Sequence, residues 1–408
     1  MSSAVVGLLR HAVGRGLRRC ALSSIWLTAA CGSDPAAGSA RDAAIAVDAR
    51  ASTSVGDAQA RDAQADPWSI GMPPVDSLPP LPKPADAGVL EPPFFGAQNP
   101  VIYLNDYPRS VYTDAYIYAL AANREIQLRG VISSGNDCKC NNGDNYPVSN
   151  TPATRTEWIR AAREAGFQNI PDNTNGTQGP TLEEPPSHKP GDTVRIGSAG
   201  TDLIVREAKL ATPERPLLLV VGTGLTTIAD AYLSDPSISK RVVIAALAGL
   251  SAESLDDGNG GSDRWATQLV MSSFRVFLFP STLDVPYTPE ARMTAEFPDT
   301  ALRDLLLGAG YYKENYDSDG SPAVTVMLPS FVKSYQRRVL MEGLTMVAAP
   351  EGNLWVMTKG DPTEGGNEFF RALTKAFKNA PPRPVSDAGT DSGVAPDGGE
   401  LGGDGGVP

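Results

Sequence analysis

The chain has 408 residues, 35 Lys and Arg against 47 Asp and Glu, and so a formal charge of −12. Such an acidic balance excludes a nucleic-acid binder, which needs basic side chains to displace counterions from phosphates. With 41% hydrophobic residues, 40 Gly and 35 Pro, much of it must be loop or unfolded linker, and two His and four Cys leave little for zinc, haem or a disulfide scaffold.

Residues 1–31 carry Arg10, Arg15, Arg18 and Arg19, then an apolar run from Ala21 to Ala30, then Cys31. A positive start, a short apolar stretch and small residues before a cut site predict an export signal. The run is too short to cross a bilayer, which needs about 20 apolar residues. The small residues before Cys31 resemble the bacterial lipobox, whose cysteine takes the lipid, although Leu27 stands one position further away than the usual pattern has it. The expectation is an exported protein, anchored to the envelope by lipid on Cys31 or else secreted, that meets membrane only through that lipid. Residues 32–98 are rich in Ala, Asp, Pro and Ser, and 381–408 form an acidic, Gly-rich tail. Both bury too little apolar surface to offset chain entropy, which predicts disordered segments flanking a single domain at 99–380.

Within that domain, short β-rich runs alternate with helical periods. Strands are predicted at 101–104, 126–132, 217–221, 241–247, 275–279 and 353–358, with 217–221 an unbroken apolar run suited to a strand covered on both faces. Helices are predicted at 113–122 with Thr113 as N-cap, then at 156–165, 201–210, 225–233, 262–274 and 368–378. The fold class is therefore α/β, a single domain with a mostly parallel sheet flanked by helices.

Once the signal is set aside, the domain owns Cys138, Cys140 and one histidine, His188. The two thiols read as a loop staple or a free pair rather than as metal ligands. One histidine in a Pro-rich stretch argues against a Ser-His-Asp or Cys-His device, so any hydrolytic chemistry must lean on carboxylates and a hard metal ion.

In parallel sheets ligands bind beyond the carboxyl ends of the strands. There the sequence places Asn105-Asp106-Tyr107-Pro108, then Thr113-Asp114 opening a helix, Gly135-Asn136-Asp137, Gly222-Thr223-Gly224, Leu247-Ala248-Gly249 and Asp256-Asp257-Gly258-Asn259. Carboxylates and amides with almost no Lys or Arg suit a divalent cation and a polyhydroxylated ligand. Gly222 to Gly224 lacks the lysine that a phosphate-binding loop would place after it. The tyrosines 103, 107, 112, 116 and 118 read mostly as packing, with Tyr107 or Tyr112 placed to stack on a ligand ring.

The order of these pieces resembles the inosine-uridine-preferring nucleoside hydrolases. The likeness runs from Val101 to about Phe377 and is strongest in Gly224-Leu225-Thr226-Thr227-Ile228-Ala229, in Gly135-Asn136 and in Asp257-Gly258-Asn259. It implies Ca²⁺ bound by Asp106, Asp114 and the Gly222 carbonyl, and ribose bound by Asn136, Asp257 and Asn259 with Leu247 beside the sugar. It also implies a Ca²⁺-bound water that gives its proton to an Asp and attacks the anomeric carbon; in this chain Asp106, or an Asp displaced from elsewhere, is the candidate for that work.

The chain departs from the family in three places. Its first loop is longer, Thr113 stands where the family has the proton-accepting Asp, and Gly320-Ser321 stands where it has His-Asp. Asp317 and Asp319 are the nearest replacement carboxylates. Two readings stay open: an exported Ca²⁺-dependent N-ribohydrolase, and a catalytically silent domain of the same fold that binds a nucleoside or small sugar. Oligomeric state stays open in both.

Overall fold

The computed structural model describes residues 95–379, apart from 107–110, 136–150, 248, 250, 281–284, 287, 310–315 and 318. The predicted export signal, nearly all of the tether, the tail, Tyr107, Asn136, Cys138 and Cys140 lie outside the described residues.

The elements open with β1 (Pro100–Asn105), α1 (Val111–Ala122), β2 (Gln127–Gly135), α2 (Thr151–Glu164), β3 (Asn173–Gln178), α3 (Ala199–Leu210) and β4 (Leu217–Gly222). Next come α4 (Thr226–Ser234), β5 (Val242–Leu247), α5 (Gly258–Ser262), α6 (Arg264–Ser273), β6 (Arg275–Phe279) and β7 (Val285–Pro286). The chain closes with α7 (Glu290–Glu296), α8 (Ala301–Ala309), β8 (Tyr316–Asp317), α9 (Gly320–Met327), β9 (Val332–Leu340), β10 (Met346–Ala348), β11 (Leu354–Gly360) and α10 (Pro362–Lys378).

Nine strands form one sheet in the order β10-β9-β11-β6-β5-β4-β1-β2-β3, and β7 pairs with β8 in a separate ribbon. From β11 to β3 every neighbouring pair is parallel. Only β9, antiparallel to both β11 and β10, departs from that direction. The chain lays β1, β2 and β3 outward to one side, then returns to build β4, β5 and β6 on the other side of β1. The strand order therefore reverses between β1 and β4, and at such a reversal a crevice opens beyond the carboxyl ends.

Alternation along each strand fills two cores. Val101, Tyr103, Val131, Val220 and Phe277 face the layer of α1, α2, α8 and α10. Ile102, Leu104, Ile132, Val221 and Ile244 face α3, α4 and α6. The helix α1 is buried along almost its whole circumference, because α10, α2 and α8 cover the side turned away from the sheet. Tyr116 on α1 stacks on Phe369 of α10 with ring centroids 4.2 Å apart.

Several predicted boundaries move. Because α1 begins at Val111, Thr113 lies inside its first turn, fully buried, and is not the N-cap. The folded region also begins before residue 99: Phe95 is buried edge-on against Phe277 at 5.9 Å, and the Asn99 side chain donates to the Pro216 carbonyl at 2.7 Å. The α6 helix starts at Arg264 because Asp263 caps it, accepting from the Ala266 amide at 3.0 Å.

The edge strand β3 and helix α3 meet through glycines. A Cβ on Gly200 would lie 2.9 Å from the Gly176 Cα and 3.0 Å from Ile132, so only glycine lets the helix sit this close to the strand. Gly200→Ala should lower stability by about 1–3 kcal/mol, the usual cost of overpacking, as read from urea unfolding. A midpoint equal to that of the wild type would mean that α3 packs less closely.

Candidate functional site

The reversal between β1 and β4 brings two strand ends side by side, with Asn105 opposite Gly222 in the register. Asn105 is fully buried, which for an amide requires partners on every side. Its Nδ2 donates to the Tyr103 hydroxyl and to Oδ2 of Asp319 at 3.3 Å. Its Oδ1 accepts from the Asp106 amide at 2.7 Å. Asp319 stands at the N-cap position of α9 but makes no capping bond with its side chain, and it is only 8% exposed. Its carboxylate lies over Gly222 instead: a Cβ there would stand 2.7 Å from both Cγ and Oδ1. Gly222 is thus glycine because a carboxylate occupies the space above it.

Asp106 follows directly on β1. A Cβ on Gly135 would fall 2.6 Å from the Asp106 Cβ, so the glycine ending β2 makes room for this residue. Burial and the facing Asp319 carboxylate push the Asp106 carboxyl up to about 8, against the opposing pull of Arg155 and the Thr223 hydroxyl. Two acids from distant parts of the sequence therefore face one another at the switch point.

Asp114 has a different neighbour. Arg155, in the first turns of α2, donates from Nη1 to Asp114 Oδ1 at 2.9 Å, and both side chains are 1% exposed. The guanidinium carbon lies 5.6 Å from the centre of the Tyr103 ring. Burial raises the proton affinity of Asp114, while Arg155 and the phenols of Tyr103 and Tyr118 draw it down. Burial also opposes the charge on Arg155, but Asp114, Tyr103 and Tyr118 outweigh it and hold the guanidinium protonated.

The β5 end completes the rim. Leu247 is its last residue, and its carbonyl accepts from Asn259 Nδ2 at 2.9 Å. Asp257 stands at the N-cap position of the short α5, its Oδ1 near the space a Cβ on Gly249 would enter. Asp106, Gly222, Leu247, Asp257 and Asn259 therefore share one edge of the sheet, while Asp114 lies behind it with Arg155. Asp263 is structural: besides capping α6 it accepts from the Leu182 amide at 2.9 Å and the Thr226 hydroxyl at 2.6 Å. His188 is exposed, bonded to Glu184 at 2.7 Å, and lines a separate surface cavity of about 760 Å³ with Trp265 and Leu344.

Ca²⁺ takes about six to eight oxygen ligands, several of them carboxylates. Among the described residues no group of three or more His, Cys, Asp or Glu could hold a metal ion. Asp106 and Asp319 come together, but Asp114 spends an oxygen on a guanidinium. These residues do not fit a caged Ca²⁺.

Sequence reasoning passed over Arg155 because it placed the start of the second helix at 156. The signal was present in the spacing, since Arg155, Trp158, Ile159 and Ala162 fall on one stripe and all are buried. An arginine on an apolar stripe requires a buried anion.

The chain is similar in structure to the inosine-uridine preferring nucleoside hydrolase from Bacillus anthracis, at 15% identity and TM-score 0.48, over 68% of this chain and 99% of that one. It is similar to a plant nucleoside hydrolase at 14% identity and TM-score 0.48, again over 68% and 99%. A third is a nucleoside hydrolase-related hypothetical protein from Saccharophagus degradans associated with carbohydrate metabolism, at 13% identity and TM-score 0.43, over 69% of this chain and 71% of that one. Likenesses at this level do not say which side chains act. No protein-family model matches the sequence, and no curated protein matches it.

Because folding raises the proton affinity of Asp106 to about 8, the stability it contributes is complete below about pH 4 and is lost as pH rises through 8. Asp106→Asn should therefore melt like the wild type near pH 4 and higher than it at about pH 9. Superimposable melting profiles across that range would refute the raised proton affinity that burial and Asp319 give this carboxyl.

Proposed function

We propose that this chain is an exported, envelope-anchored protein whose domain binds the sugar of a nucleoside, or another small sugar, without Ca²⁺-dependent hydrolysis. The observation that carries the reading is the pairing of Asp106 and Asp319 across the β1 and β4 ends, joined through Asn105. Carboxylates accept from sugar hydroxyls, and amides both donate and accept, so this donor set suits vicinal hydroxyls on a ring. Asn259 and Asp257 extend the same edge toward Leu247, where the resemblance in sequence expects the pentose.

Hydrolysis by a metal-bound water would need a third carboxylate and a base. Asp114 is held by Arg155, and the buried hydroxyl of Thr113 cannot accept a proton near neutral pH. The arginines and apolar run ahead of Cys31 support export and a lipid anchor, with the acidic stretch after it acting as a tether.

Calorimetric titration of the full chain with ribose and with inosine, in chelator, tests the reading. Binding should persist without divalent ions, and Asp319→Ala should weaken it at least about tenfold, the worth of one hydrogen bond to a charged group. Failure of both ligands to bind would overturn the sugar site. Release of ribose from inosine or uridine on adding Ca²⁺ would overturn the non-hydrolytic part.

A further inference from the structure

We propose that Arg155 is a built-in cation, which supplies from within the chain the positive charge that a bound divalent ion would otherwise bring to this acidic site. The inference deepens the metal-free reading of the site and rests on it. Its ground is the placement of the guanidinium. Arg155 is 1% exposed on a helix stripe that is otherwise Trp158, Ile159 and Ala162, where packing alone would select an apolar side chain. It bonds Asp114 at 2.9 Å and lies over the face of Tyr103 at 5.6 Å.

From there a bonded path reaches the rim. The Tyr103 hydroxyl accepts from Asn105 Nδ2, and the same amide donates to Asp319, while the Asn105 carbonyl oxygen accepts from the backbone of Asp106. Asp114 thus holds the buried guanidinium directly, Asp106 feels its charge, and Asp319 is linked to it through Asn105 and Tyr103. Taking charges out of water is costly unless an opposite charge and hydrogen bonds accompany them, and Arg155 is placed to provide both for Asp114 and a field for Asp106. A divalent ion could be removed by a chelator, whereas this charge is part of the chain it serves. Arg155 acts here as a positioning residue through Asp114 and Tyr103.

The test joins melting curves to sugar titration in the full chain. Wild-type melting temperature should be unmoved by chelator or by about 10 mM CaCl₂, a concentration that saturates even weak extracellular Ca²⁺ modules. Arg155→Met should lower the melting temperature by about 10 °C, as expected when one partner of a buried pair is removed. Arg155→Lys, which keeps the charge, should lose less. The double variant Arg155→Met with Asp114→Asn should recover most of the melting temperature, since neither charge is then left alone, yet still bind ribose at least about tenfold more weakly than the wild type.

A clear rise of wild-type melting temperature with Ca²⁺, or an Arg155→Met variant as stable as the wild type, would overturn the proposal. Full wild-type ribose affinity in the double variant would also overturn it, by reducing Arg155 to a structural partner of Asp114. If Arg155→Met does not fold, the lysine and double variants decide alone. Should the wild type bind no sugar, the function proposed above fails, and the Ca²⁺ and melting readouts still judge Arg155 separately.

Discussion

Between β1 and β4 the connections leave the sheet toward opposite layers, so the carboxyl ends at that join are met only by the start of α9, where Asp319 lies over Gly222. Backbone groups and side chains there must be satisfied by something other than the regular layers. The chain answers with polar side chains that satisfy each other and the backbone: Asn105 donates to Tyr103 and Asp319, its Oδ1 accepts from the Asp106 amide, and Thr223 donates to the Ser134 carbonyl at 2.5 Å. Everything distinctive about the site follows from that topological opening. The glycines at 135 and 222 are its steric counterpart, each leaving the volume that an aspartate side chain takes up.

Electrostatics sets the second condition. Acids gathered in a low-dielectric pocket raise one another's proton affinity, and such a cluster needs either protons or a compensating cation. Arg155 meets part of that need from α2, and burial behind Tyr103 and Tyr118 keeps solvent from screening it. The same burial keeps Asp114 off the rim of strand ends that carries Asp106 and Gly222. The acidic character of the site and its poverty in metal ligands thus have one cause.

The parts of the fold that were legible in the sequence are those where local pattern and tertiary environment agree. The run Leu217 to Val221 is apolar because both faces are covered, and it forms β4 as read. The polar segment Asn173–Gln178 gave no such signal, since an edge strand is held by backbone pairing to β2 rather than by a buried side-chain face. Helix α1 begins two residues before the expected Thr113, because a helix enclosed on all sides has no amphipathic register to mark its start. In the site, the strand-end residues Asp106, Gly222 and Leu247 could be placed at the rim from position alone. Arg155 and the exact partner of Asp106 could not, because their meeting depends on how helices distant in sequence dock on the sheet. Asn136 lies outside the described residues.

The way the chain enters the sheet has a directional meaning. Arg215 donates to the Gln98 carbonyl and Asn99 reaches Pro216, both at the end where β1 and β4 begin, while Phe95 packs on Phe277 beneath the sheet's middle. The segment just before β1 is therefore fastened at the pole opposite the strand ends that carry Asp106 and Gly222. The entry of the chain and its acidic rim thus occupy opposite ends of the same two strands, so a change at one need not disturb the other.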